Sequence, residues 1–332
     1  MTRQVLLDHL GEVEAAALLV NGRLEDLLLD GVDVRPGAIY RAKADRPMKG
    51  QGGVFLSAPD GPLFLRQIKG LKQGETLLVQ VNARPEPGKA PAVTQKVLFK
   101  SRYAIVTPDA PGLNISRQIK DEALRDTLLE IAHDAMEGSA MGLILRSSCA
   151  EADADDIADD VLAMRDLAQN VSQDTSGAPD LLVEGDGPHA LAWREWQADE
   201  VITEPGSFAE HGVLEEIDAL QRAKAGAMFI EPTRAFVAVD VNTGGDSSPA
   251  AGLKANLACA RGLARQLRLR GLGGQIVVDF APMPKKDRRA VESALRSAFR
   301  ADPVETTLVG WTTMGHFELN RARLRVPLSE VL

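Results

Sequence analysis

Two stretches decide the fold: Phe236-Val237-Ala238-Val239-Asp240 and, further along, Gln275-Ile276-Val277-Val278-Asp279-Phe280. Each is a short apolar run ending in an aspartate, which reads as a buried strand. Between them, Leu253–Leu269 has helical period, with Leu257, Ala260, Ala264 and Leu267 inward and Arg261, Arg265 and Arg268 outward. Gly271, Gly273 and Gly274 stop that helix. A strand–helix–strand crossover of this length predicts two parallel neighbours in one sheet. Asp240 and Asp279 then stand at the carboxyl ends of their strands, the edge where open α/β sheets build their sites.

The apolar runs also predict that both carboxylates lie against the core. Such a carboxylate is costly unless it is paired or binds a cation, and two side by side repel. A divalent ion resolves both problems. Carboxylate oxygens, with Asn242 supplying an amide oxygen or a hydrogen-bonded water, suit Mg²⁺, or Mn²⁺ in its place, rather than zinc. Such a site can hydrolyse phosphodiesters. The competing reading is strand-end aspartates that cap helices or pair with arginines. Asp246, in the same loop, fits an N-cap or loop role.

Working outward, Ala227–Ile230 pairs as a hairpin with Phe236–Asp240, and Lys286–Arg300 reads as a basic helix opened by Lys285, Lys286, Arg288 and Arg289. Arg321, Arg323 and Arg325 alternate, which in a strand puts them on one face. With Arg261, Arg265, Arg268 and Arg270 they form the clustered cations a nucleic-acid groove needs. At the N-terminus, Val5–Leu7, Ala15–Val20 and Leu24–Leu29 read as strands, with Asn21-Gly22 as a hairpin turn. From Pro36 to Lys100, five short apolar stretches (Ala38–Tyr40, Gly53–Leu56, Pro62–Leu65, Thr76–Val81, Ala92–Phe99) suggest a small OB-type barrel, with Phe55 and Phe64 on adjacent central strands. Residues 101–175 read as strands Tyr103–Thr107 and Gly142–Arg146, a helix over Lys120–Glu137 and an acidic helix over Ala150–Asn170. A further helix is expected over Leu214–Ala225. His189, His211 and His316 are isolated in sequence and are assigned no role.

The 332 residues predict two to three domains, and 45% apolar content excludes wholesale disorder. Two cysteines, Cys149 and Cys259, cannot make a disulfide framework or a four-ligand zinc site, so zinc is not expected and a reduced cytoplasm is. No membrane span is expected, and the charged N-terminus is not expected to be a signal peptide. The net charge of −9 is unevenly spread. Residues 151–220 hold 19 acids and two bases, whereas residues 221–332 hold 17 bases and ten acids. A basic C-terminal third keeps a polyanionic partner open.

FVAVDVNTGGD (236–246) followed by NLACARGLARQLRLRGLGGQIVVDF (256–280) resembles the catalytic region of the ribonuclease E/G family. IYRAKA (39–44), GVFL (53–56), PLFL (62–65), PGLNISRQI (111–119), MGLILRSS (141–148) and MGHFELNRARL (314–324) extend the resemblance over nearly the whole chain. The resemblance implies an α/β multidomain fold. Residues 1–35 and 176–226 would form an RNase H-like subdomain, 36–100 an inserted OB-fold RNA-binding module, 101–175 a 5′-sensor-like region and 227–332 a DNase I-like catalytic subdomain. Asp240 and Asp279 match the family's magnesium ligands, and Asn242 the asparagine that orients the attacking water or scissile phosphate. Arg146 and Ser147 match an Arg-Thr pair that holds the RNA 5′-monophosphate, and Phe55 and Phe64 match aromatics that contact bases. Arg261, Arg265, Arg268, Lys285 and Lys286 are the expected basic RNA contacts.

The implied function is Mg²⁺-dependent cleavage of single-stranded RNA in RNA processing or decay, leaving a 5′-phosphate and a 3′-hydroxyl. Three departures stand against it. The C-P-x-C zinc link and the small domain beyond it have no counterpart through Leu332, so an oligomer of the zinc-linked type is not expected. The family's D-F-I-D-M becomes Asp279-Phe280-Ala281-Pro282-Met283, without its second aspartate. The acidic middle would repel RNA. An RNA-binding protein that has lost catalysis is therefore the alternative, and a phosphodiesterase acting on DNA is a third reading.

Overall fold

The computed structural model describes residues 1–45, 52–66, 70–86 and 88–332. The chain divides into two compact units, residues 1–31 with 198–332, and residues 32–197. Strand pairing explains this division. Strand Glu200–Ile202 runs parallel to Arg3–Leu10, tying residue 200 to the N-terminal hairpins. Strand Asp180–Val183 pairs instead with Ile39–Ala44, which leaves residues 176–197 in the second unit.

The first unit holds two sheets. One orders the strands Glu200–Ile202, Arg3–Leu10, Val13–Val20 and Arg23–Leu29. Asn21 (φ 51°) and Gly22 (φ 75°) turn the last hairpin, since both central residues need positive φ. The other sheet orders Lys224–Ala225, Met228–Pro232, Val237–Val241, Gly274–Asp279, Phe317–Arg321 and Thr306–Trp311. Val237–Val241 and Gly274–Asp279 are parallel, joined by helix Ala251–Leu269, as the crossover predicts. That helix is rich in Ala, Leu and Arg, all strong helix formers. Its inner stripe of Ala255, Cys259, Ala260, Leu263, Ala264 and Leu267 packs on Val237, Val239, Ile276 and Val278. Helix Arg288–Ala301 adds Val291, Leu295 and Phe299 to the same core. Gly271 ends the crossover helix at φ 66°, where a Cβ would lie 2.0 Å from the Val326 carbonyl oxygen, so glycine is required twice over.

The expectation that Arg265 and Arg268 point outward is corrected. Arg265 pairs with Glu25 at 3.1 Å and Glu216 at 3.3 Å. Arg268 is buried, donates to the Glu25 carbonyl at 2.7 Å and pairs with Asp302. Arg270 is also buried, bonded to Gln266 and to the Arg222 carbonyl. The Arg321/Arg323/Arg325 alternation fails because the strand ends at Arg321. Arg321 is buried on Asp302 at 2.9 Å, and Arg325 reaches Asp26 at 3.0 Å. Helix periodicity places Arg265 and Arg268 on a wet face, but the carboxylates of Glu25, Glu216 and Asp302, brought from other elements, cover that face.

In the second unit, strands Ile39–Ala44, Gly53–Ala58, Gly61–Arg66, Ala92–Thr94 and Thr76–Val81 close into a five-stranded OB-like barrel. Ile39–Ala44 pairs with both Gly53–Ala58 and Thr76–Val81, and Gly61–Arg66 runs parallel to Ala92–Thr94. Four of the five expected stretches become barrel strands, and Ala92–Phe99 does so only over Ala92–Thr94, since Phe99 pairs in the neighbouring sheet. Beside it, a sheet of Leu113–Ile115, Gly142–Leu145, Ala104–Thr107 and Phe99–Lys100 packs against helices Glu122–Ala135 and Ala154–Gln173. Helix Pro188–Glu195 and three short strands (Leu113–Ile115, Asp180–Val183, Glu200–Ile202) have too few residues to show a period and are additions to the sequence reading. The helix expected over Leu214–Ala225 spans Val213–Leu220.

Asp302→Ala leaves two buried guanidiniums, Arg268 and Arg321, without their shared carboxylate. Its expected cost is about 3–5 kcal/mol of unfolding free energy. Urea denaturation reads this directly, and a loss below about 1 kcal/mol would show that the pairing does not hold the crossover helix to strand Phe317–Arg321.

Candidate active site

Asp240 and Asp279 are cross-strand partners in the parallel register. Neighbouring strands lie about 4.8 Å apart, and partnered residues share a sheet face, so the two carboxylates flank one point in space. Their position differs from the expectation of burial: both are exposed. The period of two explains this. Val237, Val239, Ile276 and Val278 face the helices, so Ala238, Asp240, Val277 and Asp279 face the other way. The aspartates therefore occupy the sheet face that the helices leave open, near its carboxyl edge.

Asn242 emerges from the strand beside them. Its backbone N–H bonds the Ala227 carbonyl at 2.8 Å, and its side-chain Nδ2 donates to Asp240 Oδ2 at 2.6 Å. The amide thus fixes the Asp240 carboxylate and keeps its own oxygen turned away from it. Asp246 is a loop residue. It accepts from the Ser248 backbone N–H at 2.9 Å, and this bond, more than the nearby Lys254 at 3.6 Å, holds its carboxyl below the usual range. The N-cap position of the following helix is Ala250, not Asp246.

The chain beyond Asp279 is fastened in two ways. Buried Asn256 donates from Nδ2 to the Ala281 carbonyl at 2.9 Å and accepts from the Ala281 N–H at 2.9 Å. Phe280, Trp311 and Phe317 form an aromatic cluster with centroids 5.2–6.5 Å apart. The Arg288 guanidinium lies 4.3 Å over Trp311, whose indole N–H bonds Glu292 at 2.6 Å. Lys285 and Lys286 follow in an exposed turn. Arg261 is exposed too, but on the helix covering the opposite sheet face. Of the five expected basic contacts, Lys285 and Lys286 thus follow on the segment leaving Asp279. Arg265 and Arg268 are spent on interior ion pairs.

His316 is the residue that sequence reasoning missed. Its Nε2 lies 3.9 Å from Asp279 Oδ1. It closes the Thr312–His316 turn, and nothing in the sequence places that turn against Asp279. Among the described residues, no group of three or more His, Cys, Asp or Glu side chains is arranged to hold a metal ion. Two adjacent carboxylates in open solvent still fit Mg²⁺, which keeps several waters and takes one or two protein carboxylates.

In the second unit, Phe55 and Phe64 are cross-strand partners, with ring centroids 5.2 Å apart at 54°. Val54, Leu56, Leu63 and Leu65 fill the barrel, so the two rings lie half-buried on its outer surface. A Cβ at Gly53 would meet the Phe64 ring at 2.5 Å, so glycine lets that ring lie flat across the strand. Arg146 and Ser147 follow strand Gly142–Leu145, but the Arg146 guanidinium is engaged: it donates to the Ser101 carbonyl at 2.6 Å and the Arg194 carbonyl at 3.2 Å, and pairs with Glu195. An open guanidinium fork at Arg146, expected from the sequence, is not what the fold presents.

The ribonuclease E/G family model matches residues 99–204 and 201–324. The chain belongs to the ribonuclease E/G family. Ribonuclease G of Salmonella typhimurium is 26% identical over 406 residues, spanning all of this chain and 82% of that protein. Ribonuclease E of a Nostoc species is 26% identical over 97% of this chain and 56% of its own length, and ribonuclease E of Haemophilus influenzae 26% over 99% and 42%. The chain thus spans about half of these ribonuclease E relatives. The family match begins at residue 99, so the barrel is recognised by its strand order rather than by that match.

Neither cysteine belongs to the site. Burial pushes the Cys149 thiol up to about 11 and the Cys259 thiol up to about 12. A thiol reagent at pH 8 is expected to leave both unmodified in the folded protein and to label both after denaturation. Rapid labelling of either in the native state would contradict their burial.

Proposed function

We propose that this ribonuclease E/G family member is a divalent-metal-dependent endoribonuclease acting on single-stranded RNA. The observation that carries the proposal is the Asp240–Asp279 register on an open sheet face. Asp240 and Asp279 would hold Mg²⁺, or Mn²⁺ in its place. When bound, the ion polarises the scissile phosphoryl group and acidifies a water for attack. Asn242 orients the Asp240 carboxylate through its Nδ2 and presents its amide oxygen outward, where it can position the water or the phosphate. Asn256 and the Phe280 cluster hold the chain beyond Asp279 in register, which is the preorganisation that positions reacting groups. Lys285 and Lys286 supply positive charge for the RNA backbone on the segment leaving Asp279. Arg261 remains a candidate phosphate contact away from that face. Cleavage at the P–O3′ bond leaves a 5′-phosphate and a 3′-hydroxyl.

On the barrel, Phe55 and Phe64 offer a stacking platform suited to unpaired bases, which alone expose their faces. The RNase H-like and DNase I-like subdomain likenesses, RNA processing or decay as the setting, and a cytoplasmic location belong to this same reading. No helix among the described residues is long and apolar enough to cross a membrane.

One observation favours the second reading, an RNA-binding member without catalysis. No third acidic, histidine or cysteine ligand joins the pair among the described residues, and Pro282 stands where the family motif has an aspartate.

Incubation of a single-stranded RNA oligonucleotide with Mg²⁺ separates the readings. The wild type is expected to cleave it, and Asp240→Asn and Asp279→Asn each to lose about 10²-fold in rate. Equal activity in all three would overturn the site, whereas salt-dependent binding with no product in Mg²⁺ or Mn²⁺ would establish the non-catalytic reading. Matched RNA and DNA oligonucleotides test the choice of substrate.

Phe55→Ala and Phe64→Ala are each expected to weaken RNA binding about tenfold, in line with roughly 1–3 kcal/mol per stacked base. Fluorescence anisotropy in EDTA checks this, with circular dichroism to show that the barrel is intact. Unchanged affinity in both variants would remove the platform.

A further inference from the structure

The register that sets Asp240 beside Asp279 continues across the sheet. Lys224 pairs with Phe229, Phe229 with Asp240, and Asp240 with Asp279. Partnered residues share a sheet face, so a cation, an aromatic ring and two carboxylates stand in one transverse row at steps of about 4.8 Å. His316, 3.9 Å from Asp279, closes the row on the other side. Met228 and Ile230 enter the core, which turns Phe229 between them to the open face. Its ring is half-buried there, with the Lys224 Nζ 5.9 Å from the ring centroid. Glu231, Gln275 and Asn320 are exposed on the same face, so the ring belongs to no second core. Lys224 is exposed, and among the described residues no carboxylate pairs with it.

The edge hairpin that carries Lys224 and Phe229 is fastened to the site. At its turn, the Ala227 carbonyl accepts from the Asn242 N–H at 2.8 Å. At its start, the Arg222 carbonyl accepts from Arg270 at 3.0 Å. The ring is therefore held in place relative to Asp240 before any ligand arrives. An aromatic face with an ammonium beside it is complementary to a nucleotide, since the base stacks on the ring and the phosphate takes the charge.

We infer that Phe229 and Lys224 form a nucleotide subsite next to the carboxylate pair. The base adjoining the scissile phosphodiester stacks on Phe229, and Lys224 binds a phosphate of the same strand one step further out. This rests on the proposed action on single-stranded RNA and deepens it, since it names the residues that settle which bond lies over Asp240 and Asp279. Only an unpaired base offers its face to the ring, so the subsite takes a single strand and rejects a duplex. It is separate from the Phe55–Phe64 platform, which lies in the other unit.

Fluorescence anisotropy in EDTA tests the subsite without cleavage. A single-stranded RNA and an abasic ribose-phosphate strand of equal length are titrated against the wild type, Phe229→Leu and Phe229→Trp, with circular dichroism to show that each variant is folded. Phe229→Leu keeps an apolar side chain but loses the ring face. It is expected to weaken the base-bearing strand about fivefold or more, as base–aromatic stacking allows, and to leave the abasic strand within about twofold. Phe229→Trp should restore wild-type affinity. Lys224→Gln, on the exposed edge, should reduce the slope of log affinity against log salt by about 0.7, the share of one phosphate contact on a single strand. Equal losses on both strands, no loss on either, or an unchanged salt slope in Lys224→Gln overturns the proposal. So does a wild-type dimer, seen by light scattering, that Phe229→Leu dissociates without changing RNA affinity, which would give the face to a second copy of the chain. A base-specific loss in Phe229→Leu, in a protein that yields no product with Mg²⁺, would sustain the subsite and sink the nuclease reading. Cleavage without that loss would sink the subsite and leave the Asp240–Asp279 reading standing. A wild type that binds neither strand sinks both.

Discussion

The alternation of side chains across two parallel strands is the constraint on which the rest depends. Val237, Val239, Ile276 and Val278 must face the two helices to bury their methyl groups. Once they do, Asp240 and Asp279 have no choice but to face the other way, and the parallel register sets them side by side. A slip of one residue in either strand would turn an aspartate into the core and a valine into water. The hydrophobic contacts that specify the sheet therefore also specify the carboxylate pair. The site is held by the core behind it, with Asn256 and the Phe280–Trp311–Phe317 cluster fixing the chain where it leaves.

The arginines of the C-terminal third divide into two populations with different physics. Arg265, Arg268, Arg321 and Arg325 are drawn to Glu25, Asp26, Glu216 and Asp302, where desolvation makes each pairing obligatory. Burial lowers the proton affinity of Arg265 and Arg321, and the partner carboxylates oppose that effect. Arg261, Lys285 and Lys286 stay in solvent. The paired arginines are closed to a polyanion, so the formal positive charge of this region overstates its capacity to bind one. The same division operates in the other unit, where Arg146 serves a helix end and Glu195.

Much of the architecture is legible in the sequence because it is written in local periods. The five barrel strands, the Asn21-Gly22 turn, the crossover and the pairing of Asp240 with Asp279 all follow from patterns of apolar residues and turn formers over a few positions. The motif from Asp240 to Phe280 is long enough to identify the family. Short elements such as Asp180–Val183 and Glu200–Ile202 are not legible, because three or four residues carry no period and their pairing partners lie far away in the chain.

The sequence by itself determined the longer strands and helices, which aspartates end neighbouring strands, and which aromatics share the barrel surface. Tertiary structure alone decided which arginines are spent, that both aspartates are exposed, that His316 approaches Asp279, and that Glu195 occupies Arg146. The reason is one of range. Periodicity reports a residue's direction relative to its own element, whereas the partner of a charge is set by what other elements bring within about 4 Å. That distance exists only once the chain has folded.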